Sequence, residues 1–298
     1  MLAILAGAVL PLPLARSRWS HQAPRLAIAT WTVLAGVFTV ASALTVLQLL
    51  LPYRSSHRLA DGLEDCLPWT PRGCAAPGAG SLVPADFLAA LGATAVLLLP
   101  VALFLRQAIH ARRRRSRHAE LLHFIGRTES RLGATVLDHP TPAIYCLPGR
   151  TSRVVVSTGA LRVLTGAQLD AVLHHERAHI TGRHHLLTVG AQAAAHIFPA
   201  LPLFRHIQDA VPLLLEMAAD DRALRRCSRE ALATALYAMA AGQAPQPAMA
   251  AGGPSAVLRV RRILTPEAGH PVLQGLLTTA AAIGAVTPLV MACCSIPG

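Results

Sequence analysis

Two histidines spaced four residues apart constrain this chain more than any other feature of its sequence. His175, Glu176 and His179 form the pattern H-E-x-x-H. On an α-helix, residues four apart share one face, so the two imidazoles can grip a single metal ion from one side. Imidazole nitrogen is a good Zn²⁺ ligand, and a catalytic zinc site combines three protein ligands with an open position for water. Glu176 is then the candidate catalytic base, which takes a proton from that water.

The flanking residues predict the helix that such a pair needs. Thr165 and Gln168 have the spacing of a capping box, in which each side chain satisfies a free backbone donor at a helix start. Apolar residues follow at core spacing, and Gly182 offers a natural stop. We therefore expect a helix that begins about ten residues before His175 and packs on the core through its apolar side.

The best candidate for a third ligand is Glu216. The chain has only 15 Asp plus Glu, and this one follows the apolar run of residues 211–215. A carboxylate in such a setting is costly unless it is paired or bound to a metal ion. Asp220 falls one helical turn later on the same face, where it could accept the free N–H of a zinc-bound imidazole. The alternative is a solvated acidic helix start beside Arg222.

Taken together, the two motifs resemble those of the membrane-embedded gluzincin zinc metallopeptidases. This group includes the antirepressor peptidases of the BlaR/MecR type and the heat-shock-type membrane zinc proteases. The likeness joins H-E-x-x-H at 175–179 to E-x-x-A-D-x-x-A at 216–223, and it covers roughly residues 118–265. Shorter stretches that share it are 164–173, 229–236 and 259–264.

The resemblance implies a role for each of the singled-out residues. His175, His179 and Glu216 would bind Zn²⁺, Glu176 would be the catalytic base, and Asp220 would orient a ligand imidazole. It also implies a mostly α, zincin-like catalytic domain. The chain leaves no room after this region for the penicillin-sensing domain of some antirepressor relatives, so we do not expect antibiotic sensing.

Composition places this chemistry in a membrane protein. The chain is 53% hydrophobic and 14% charged, which is far from the soluble norm. Residues 27–51, 85–105 and 271–291 are long apolar segments, and residues 1–14 are a shorter one that arginines follow rather than precede. We expect an α-helical membrane protein with about four to five transmembrane helices, a mostly α catalytic domain and a small β-hairpin or sheet.

The net charge of +12 fits membrane topology better than nucleic-acid binding, since aromatic residues are only 4% of the chain. Arginine-rich segments at 15–27 and 112–117 belong in the cytoplasm by the positive-inside rule, and the loop at 52–84 belongs outside. Cys66 and Cys74 lie in that outer loop, where an oxidising environment would allow a disulfide.

These features divide the chain into three parts. Residues 1–111 form an N-terminal membrane region, residues 112–265 a cytoplasmic zinc peptidase domain, and residues 266–298 a C-terminal transmembrane helix. Residues 186–204 are apolar enough to enter a bilayer, but a single crossing there would separate Glu216 from the histidines. This segment must therefore be buried in protein, lie in the interface or re-enter on the same side.

Within the peptidase region, residues 118–131 predict an amphipathic helix, and residues 142–147 and 153–157 predict a β-hairpin. By the resemblance, one strand of this hairpin would offer an edge that binds the substrate backbone in extended form. The residues of that strand are Val154, Val155, Val156 and Ser157. The alternative is a hairpin that only roofs the core. His174, His184 and His185 are expected at the surface.

The function expected from the sequence is hydrolysis of peptide bonds by an integral membrane zinc endopeptidase, at or near the cytoplasmic face. Its partners would be the lipid bilayer and a protein or peptide substrate, with regulatory cleavage of a repressor-like protein as the favoured role. Quality control of membrane proteins is one alternative, and a non-catalytic zinc-containing sensor or scaffold is another. We expect no direct nucleic-acid partner.

Overall fold

The computed structural model describes residues 5–17, 19–50, 84–149, 152–243 and 253–265 of the chain. The expectations for Cys66 and Cys74 and for the apolar segment at 271–291 lie outside these residues.

Helices make up most of this part of the chain, and one small sheet lies among them. A π-helical turn at Leu5–Val9 comes first. The helices are α1 (Pro11–Arg16), α2 (Trp19–Gln22), α3 (Pro24–Leu50), α4 (Pro84–Ile125), α5 (Thr158–Val163), α6 (Gly166–Thr181), α7 (His184–Ile197), α8 (Pro202–Ala223), α9 (Arg229–Gln243) and α10 (Gly253–Leu264). The strands are β1 (Gly126–Glu129), β2 (Ala134–Leu137), β3 (Ile144–Leu147) and β4 (Arg153–Ser157).

The sheet has four strands in the order β1-β2-β4-β3. β3 and β4 pair antiparallel, which confirms the predicted hairpin, and β4 also pairs in parallel with β2. Strands β1 and β2 are not predicted from the sequence. The helix expected over 118–131 ends at Ile125, and β1 follows it directly. Gly133 accounts for the difference. Its φ of +57° lies in the left-handed region, which glycine adopts easily, and the resulting tight turn folds β2 back on β1.

The interior position of β4 overturns its predicted role as a substrate-binding edge. It has a hydrogen-bonded strand on each side, so its backbone donors and acceptors are already used within the sheet. Its side chains are also buried, with exposed fractions of 2%, 1%, 0% and 2% for Val154, Val155, Val156 and Ser157. β3 is the edge strand on this side of the sheet, and it packs against α6.

The segment at 186–204 does not separate the two motifs. It forms α7, a short connection and the start of α8. α7 packs against α4 and α8, and α8 packs against α6. Val189 and Ala191 are among the buried residues of α7. Of the alternatives left open by the sequence, burial within the protein is the one that agrees with this packing.

α3 and α8 share one apolar core. Ile28 and Trp31 of α3 are buried in the same cluster as Leu203, Phe204 and Ile207 of α8. The predicted membrane region and the predicted peptidase region therefore pack directly on each other, and α8 is held in place by the N-terminal helix.

Among the described residues, one helical segment, Pro24–Val46, is long and apolar enough to cross a membrane. The expected first span is instead a π-helical turn followed by the six-residue α1. The apolar segment at 85–105 is the first half of α4, which continues unbroken to Ile125. The predicted number of four to five membrane helices stays a prediction.

Candidate active site

The predicted zinc helix is α6, and its first turn carries the predicted cap. The backbone N–H of Thr165 donates to Gln168 Oε1 at 2.9 Å, and the N–H of Gln168 donates to Thr165 Oγ1 at 3.4 Å. Val172 and Leu173, on the apolar side of α6, are buried in one cluster with residues of β4. The cap and the sheet together fix the two histidines of this helix.

α6 ends at Thr181 and is followed by Gly182, as expected. The φ of Gly182 is −76°, a value that any residue adopts. The reason for a glycine there is therefore space and not backbone conformation. A Cβ at this position would collide with the imidazole of His184. His184 is half-buried, and its Nδ1 lies 2.9 Å from His179 Nδ1. The prediction that His184 is a surface residue is therefore wrong.

α8 brings Glu216 to the two imidazoles of α6. Glu216 Oε2 lies 3.3 Å from His175 Nε2, and Glu216 Oε1 lies 3.4 Å from His179 Nε2. The two Nε2 atoms are 3.1 Å apart. These three side chains form a group whose candidate ligand atoms all lie within 4.8 Å of one another. The three zinc ligands expected from the sequence therefore meet at one place.

The spacing of these atoms fits a zinc ion. Ligand atoms at about 2.0–2.1 Å from a tetrahedral Zn²⁺ lie about 3.3–3.4 Å from one another. The two imidazole nitrogens, 3.1 Å apart, are close to this edge length, and each of them lies within 3.4 Å of one of the two Glu216 oxygens. Two imidazoles and one carboxylate are also the donor set of a known class of catalytic zinc site. The residues present therefore fit the metal that the motif implies.

The cluster is open to solvent on one side. The side chain of Glu216 is 38% exposed and that of His179 is 14% exposed, whereas that of His175 is only 5% exposed. A structural zinc site is closed by a fourth protein ligand, and a catalytic site keeps a position open. The group of candidate ligands in the described residues has three members, so its geometry is of the open kind.

A buried ion network supports the ligands from behind. Asp220 Oδ1 lies 3.0 Å from His175 Nδ1, and the Asp220 side chain is 1% exposed. Arg259 of α10 binds both oxygens of Asp220, at 2.9 Å through Nε and 2.8 Å through Nη2. Its Nη1 also lies 2.8 Å from Glu216 Oε2. The guanidinium of Arg259 thus contacts both Glu216, a candidate metal ligand, and Asp220, the carboxylate that orients the ligand His175.

The role of Arg259 is not predicted from the sequence, although residues 259–264 are part of the resemblance. The available signal was the pair Glu216 and Asp220. Two acids on one face of a largely apolar helix call for a cation as well as a metal. All 27 basic residues other than histidine are arginines. The local sequence therefore does not indicate which arginine supplies this cation.

The network also sets the charges of the site. Burial alone would raise the pKa of Asp220, but hydrogen bonds from Arg259 and His175 outweigh it and lower the pKa to about 2. For Glu216, His175 and Arg259 likewise overcome burial and lower the pKa to about 2. Burial lowers the pKa of His179 to about 4. Both carboxylates are therefore negative and His179 is neutral near pH 7, which are the forms that bind a cation.

His175 differs from the other three groups. Burial would lower its pKa, but hydrogen bonds to Asp220 and Glu216 outweigh it and raise the pKa to about 9. In the metal-free protein this imidazole therefore carries a proton near pH 7, and it gives the proton up when a metal ion binds.

The Glu176 carboxylate lies against the edge strand β3. Burial raises its pKa, while the charge of His175 and hydrogen bonds from the backbone N–H and the thiol of Cys146 act in the opposite direction. Burial, followed by the charge of Glu176, raises the pKa of Cys146 to about 12, so this thiol stays protonated. The candidate base is therefore held beside the strand that borders the site.

The contact between Cys146 and Glu176 shows which backbone groups β3 turns outward. Counted from Ala143 onwards, every second residue turns its backbone N–H and C=O groups towards β4, because the N–H of Ser157 donates to the carbonyl of Ala143 at 2.9 Å. Alternation along a strand then directs the N–H and C=O groups of Ile144 and Cys146 to the other side. Within the described residues no strand pairs with that side of β3. The free edge beside Glu176 is thus β3 instead of the predicted β4.

The fold and the site together define a candidate zinc metallopeptidase of the gluzincin type. The model of Peptidase family M48 matches residues 108–214, a little over a third of the 298-residue chain. This similarity supports a metallopeptidase. The matched region contains the H-E-x-x-H of α6 and stops just short of Glu216, so the third ligand rests on the geometry above. Searches of curated proteins and of solved structures gave no match.

Proposed function

We propose that the chain is an integral membrane zinc endopeptidase that cuts protein substrates at or near the cytoplasmic face. The observation that carries the proposal is the meeting of His175, His179 and Glu216 at an open site, with Glu176 between this site and a free strand edge. A metal centre with a carboxylate beside its open position has the parts that hydrolysis of a peptide bond requires.

The edge of β3 binds an extended segment of substrate in this proposal. The outward N–H and C=O groups of Ile144 and the outward C=O of Cys146 pair with the substrate backbone, as in other strand-addition complexes. The scissile bond then lies near the metal ligands, because Cys146 contacts Glu176. Backbone pairing tolerates many side chains, so this edge suits a peptidase whose substrates enter as unfolded or flexible segments.

The residues of the site have separate tasks in the reaction. His175, His179 and Glu216 hold the zinc ion, which when bound polarises the scissile carbonyl and lowers the pKa of the attacking water. Glu176 accepts the proton of that water and delivers it to the leaving amine. Asp220 and Arg259 keep His175 and Glu216 in place. No acyl-enzyme forms, since water is the nucleophile.

Membrane insertion is supported by two features of the helices. Pro24–Val46 has the length and composition of a span. α4 also exposes large apolar side chains in its first half, including Phe87 at 66%, Leu98 at 58% and Leu99 at 54%. Such a surface is unfavourable in water and favourable in lipid. Exposed arginines at residues 112–114 follow on the same helix, and they orient its C-terminal end towards the cytoplasm.

The test of the catalytic proposal is Glu176→Gln in the full-length chain, purified in detergent and assayed on an unfolded protein such as β-casein. We expect bound zinc to be retained and kcat/KM to fall about 10²–10⁴-fold, since the amide cannot accept the proton. Asp170→Asn, at an exposed position on the same helix, is the matched control and should keep full activity. Undiminished proteolysis by the Glu176→Gln variant would end the assignment and favour a non-catalytic zinc scaffold.

The substrate-edge proposal has its own variant. Ile144→Pro removes one outward N–H from β3, in a position where an edge strand tolerates proline. We expect kcat/KM to fall about tenfold, mostly through a higher KM, at unchanged zinc content. Ile144→Val keeps the N–H and should behave like the parent. Equal activity of the proline variant would place the substrate elsewhere.

The choice of substrate within the enzyme class rests on the resemblance to the antirepressor type, so cleavage of a repressor-like protein is proposed over quality control. Protein N-termini can be mapped in cells that express the parent chain or its Glu176→Gln variant. A regulatory peptidase should produce one specific new N-terminus. Broad stabilisation of misfolded membrane proteins in the variant cells would select quality control instead.

A further inference from the structure

A second cavity borders α8 on the face next to the metal cluster. It has a volume of about 670 Å³, and its lining includes Arg225, Arg229, Arg261 and Arg262 together with one carboxylate, Asp221. We call it the arginine pocket. Its walls come from the ends of α2 and α8, from the start of α9 and from α10. The reaction described above uses none of these arginines.

The arginine pocket has more positive charge than its own residues compensate. Arg262 pairs with Asp221, at 2.7 Å between Nη1 and Oδ1, and Arg229 Nη1 donates to the carbonyl of Ile263 at 3.0 Å. The side chains of Arg225 and Arg261 make no ion pair or hydrogen bond with any other described residue. Four arginines and one carboxylate line the pocket, and Arg225, Arg229 and Arg261 are exposed. An anion that joins them would reduce their mutual repulsion.

The chemistry of the lining identifies the anion as a phosphate. Guanidinium groups bind phosphate oxygens through paired N–H donors, and several arginines around one cavity suit a group with three or four such oxygens. The lining also includes the apolar residues Met217, Leu224 and Leu258. A lining of both cationic and apolar residues fits an amphiphile whose polar end is a phosphate.

The position of the pocket in the fold adds a second observation. His21 and Gln22, which line it, directly precede α3, where the membrane-length segment Pro24–Val46 begins. Arg262 Nε donates to the carbonyl of His21 at 2.6 Å, which fixes this corner to α10. In the proposed orientation, the start of α3 lies at the cytoplasmic surface of the bilayer. That is the depth at which anionic lipid phosphates are found.

We propose that the arginine pocket binds a phosphate-bearing anion, with the headgroup of an anionic phospholipid or free phosphate as its two sources. The phosphate chemistry rests on the lining residues and is independent of the proposed peptidase activity. Only the lipid source uses the proposed membrane orientation.

The experiment compares three forms of the full-length chain in detergent. The double variant Arg225→Gln/Arg261→Gln removes the two arginines whose side chains have no partner among the described residues. Arg222→Gln/Arg226→Gln is the matched control, because it removes two exposed charges from the same end of α8 outside the pocket. Zinc content and unfolding temperature are measured for each, so that a folding defect is recognised.

Two probes separate the sources of the anion. Inorganic phosphate is titrated calorimetrically at low ionic strength, and retained phosphatidylglycerol is counted by native mass spectrometry after purification from bilayers of phosphatidylcholine and phosphatidylglycerol. We expect the pocket variant to bind the preferred probe at least tenfold more weakly, and the control to stay within twofold of the parent. Preference for phosphatidylglycerol supports the lipid source, and binding of inorganic phosphate alone supports the free anion. Binding of neither probe, or an equal loss in both variants, would overturn the proposal.

Discussion

Two neighbouring faces of α8 differ in how far their charged side chains are paired with opposite charges. On the face of Glu216 and Asp220, each carboxylate contacts both an imidazole and Arg259, within 3.4 Å. On the face of Met217 and Asp221, one carboxylate pairs with Arg262 and further arginines are left over. Two helices, α8 and α10, contribute residues to both surfaces.

The charges around Asp220 fix the positions of the metal ligands, whereas the charges of the arginine pocket are available to bind another molecule. A buried ion pair adds little net stability compared with an apolar core, but breaking one is costly. The compensated network around Asp220 therefore serves to fix the ligands, and it is complete without a partner molecule other than the metal. The charges of the arginine pocket have no such compensation within the described residues. Each of the following predictions alters one face and leaves its neighbour as the control.

The largest effect is expected at Arg259. Arg259→Gln removes one of the two cations beside the buried carboxylate of Asp220, which is 1% exposed, and leaves only His175. The metal-free protein should lose about 3–5 kcal/mol of unfolding free energy, measured by denaturant titration. Arg261→Gln changes the same charge on the same helix at an exposed position and should cost less than about 0.5 kcal/mol.

Arg259→Lys refines that comparison. Lysine keeps the charge but cannot bind both Asp220 oxygens with a planar fork. Its stability should fall between those of the parent and the glutamine variant, and its zinc affinity should remain below that of the parent. Equal stability of the Arg259 and Arg261 glutamine variants would show that the two faces do not differ in the way described.

An intermediate effect is expected for the two adjacent acids. Asp220→Asn removes the charge beside His175 Nδ1, and loss of such a partner lowers metal affinity about 10–100-fold. Asp221→Asn acts on a side chain that is 36% exposed and pairs with Arg262, so its zinc affinity should match the parent. Competition with a chromophoric chelator measures both. A loss of zinc affinity in Asp221→Asn as large as in Asp220→Asn would contradict the separation of the faces.

The smallest effect is expected from His184, which extends the metal face onto α7. Burial lowers the pKa of His184, so a neutral imidazole lies 2.9 Å from His179 Nδ1. His184→Asn should weaken zinc binding less than tenfold, since a neutral partner contributes less than a carboxylate. His185→Asn is the control. If the control weakened zinc binding as much, the contact would have no specific role.

The sequence predicts those parts of the site that depend on local geometry. The spacing of His175 and His179 places them on one helical face, and the cap formed by Thr165 and Gln168 is present as expected. Glu216 and Asp220 were identified through their apolar surroundings and the resemblance, and both lie at the site. In each case a short-range pattern carries the information.

Two of the misses concern contacts between segments that are distant in the sequence, whereas the contact between His184 and His179 spans only five residues. The resemblance implies that Val154–Ser157 offers a substrate-binding edge, and nothing in residues 142–157 indicates that β2 pairs with β4. Arg259 joins Asp220 across 39 residues, and arginines elsewhere in the chain have the same local character. His184 lies beyond the end of α6, so helical periodicity says nothing about its return towards His179.

The apolar core shared by α3 and α8 has a practical consequence. Leu203 is 0% exposed and Trp31 is 2% exposed, and they lie in one cluster. A fragment of residues 112–265 would lack α3. The apolar residues at the start of α8, the helix that carries Glu216, would then lose their cover. A biochemist who wants an active preparation should therefore keep the N-terminal helices attached, because a cut after residue 111 falls inside α4 and separates α3 from α8.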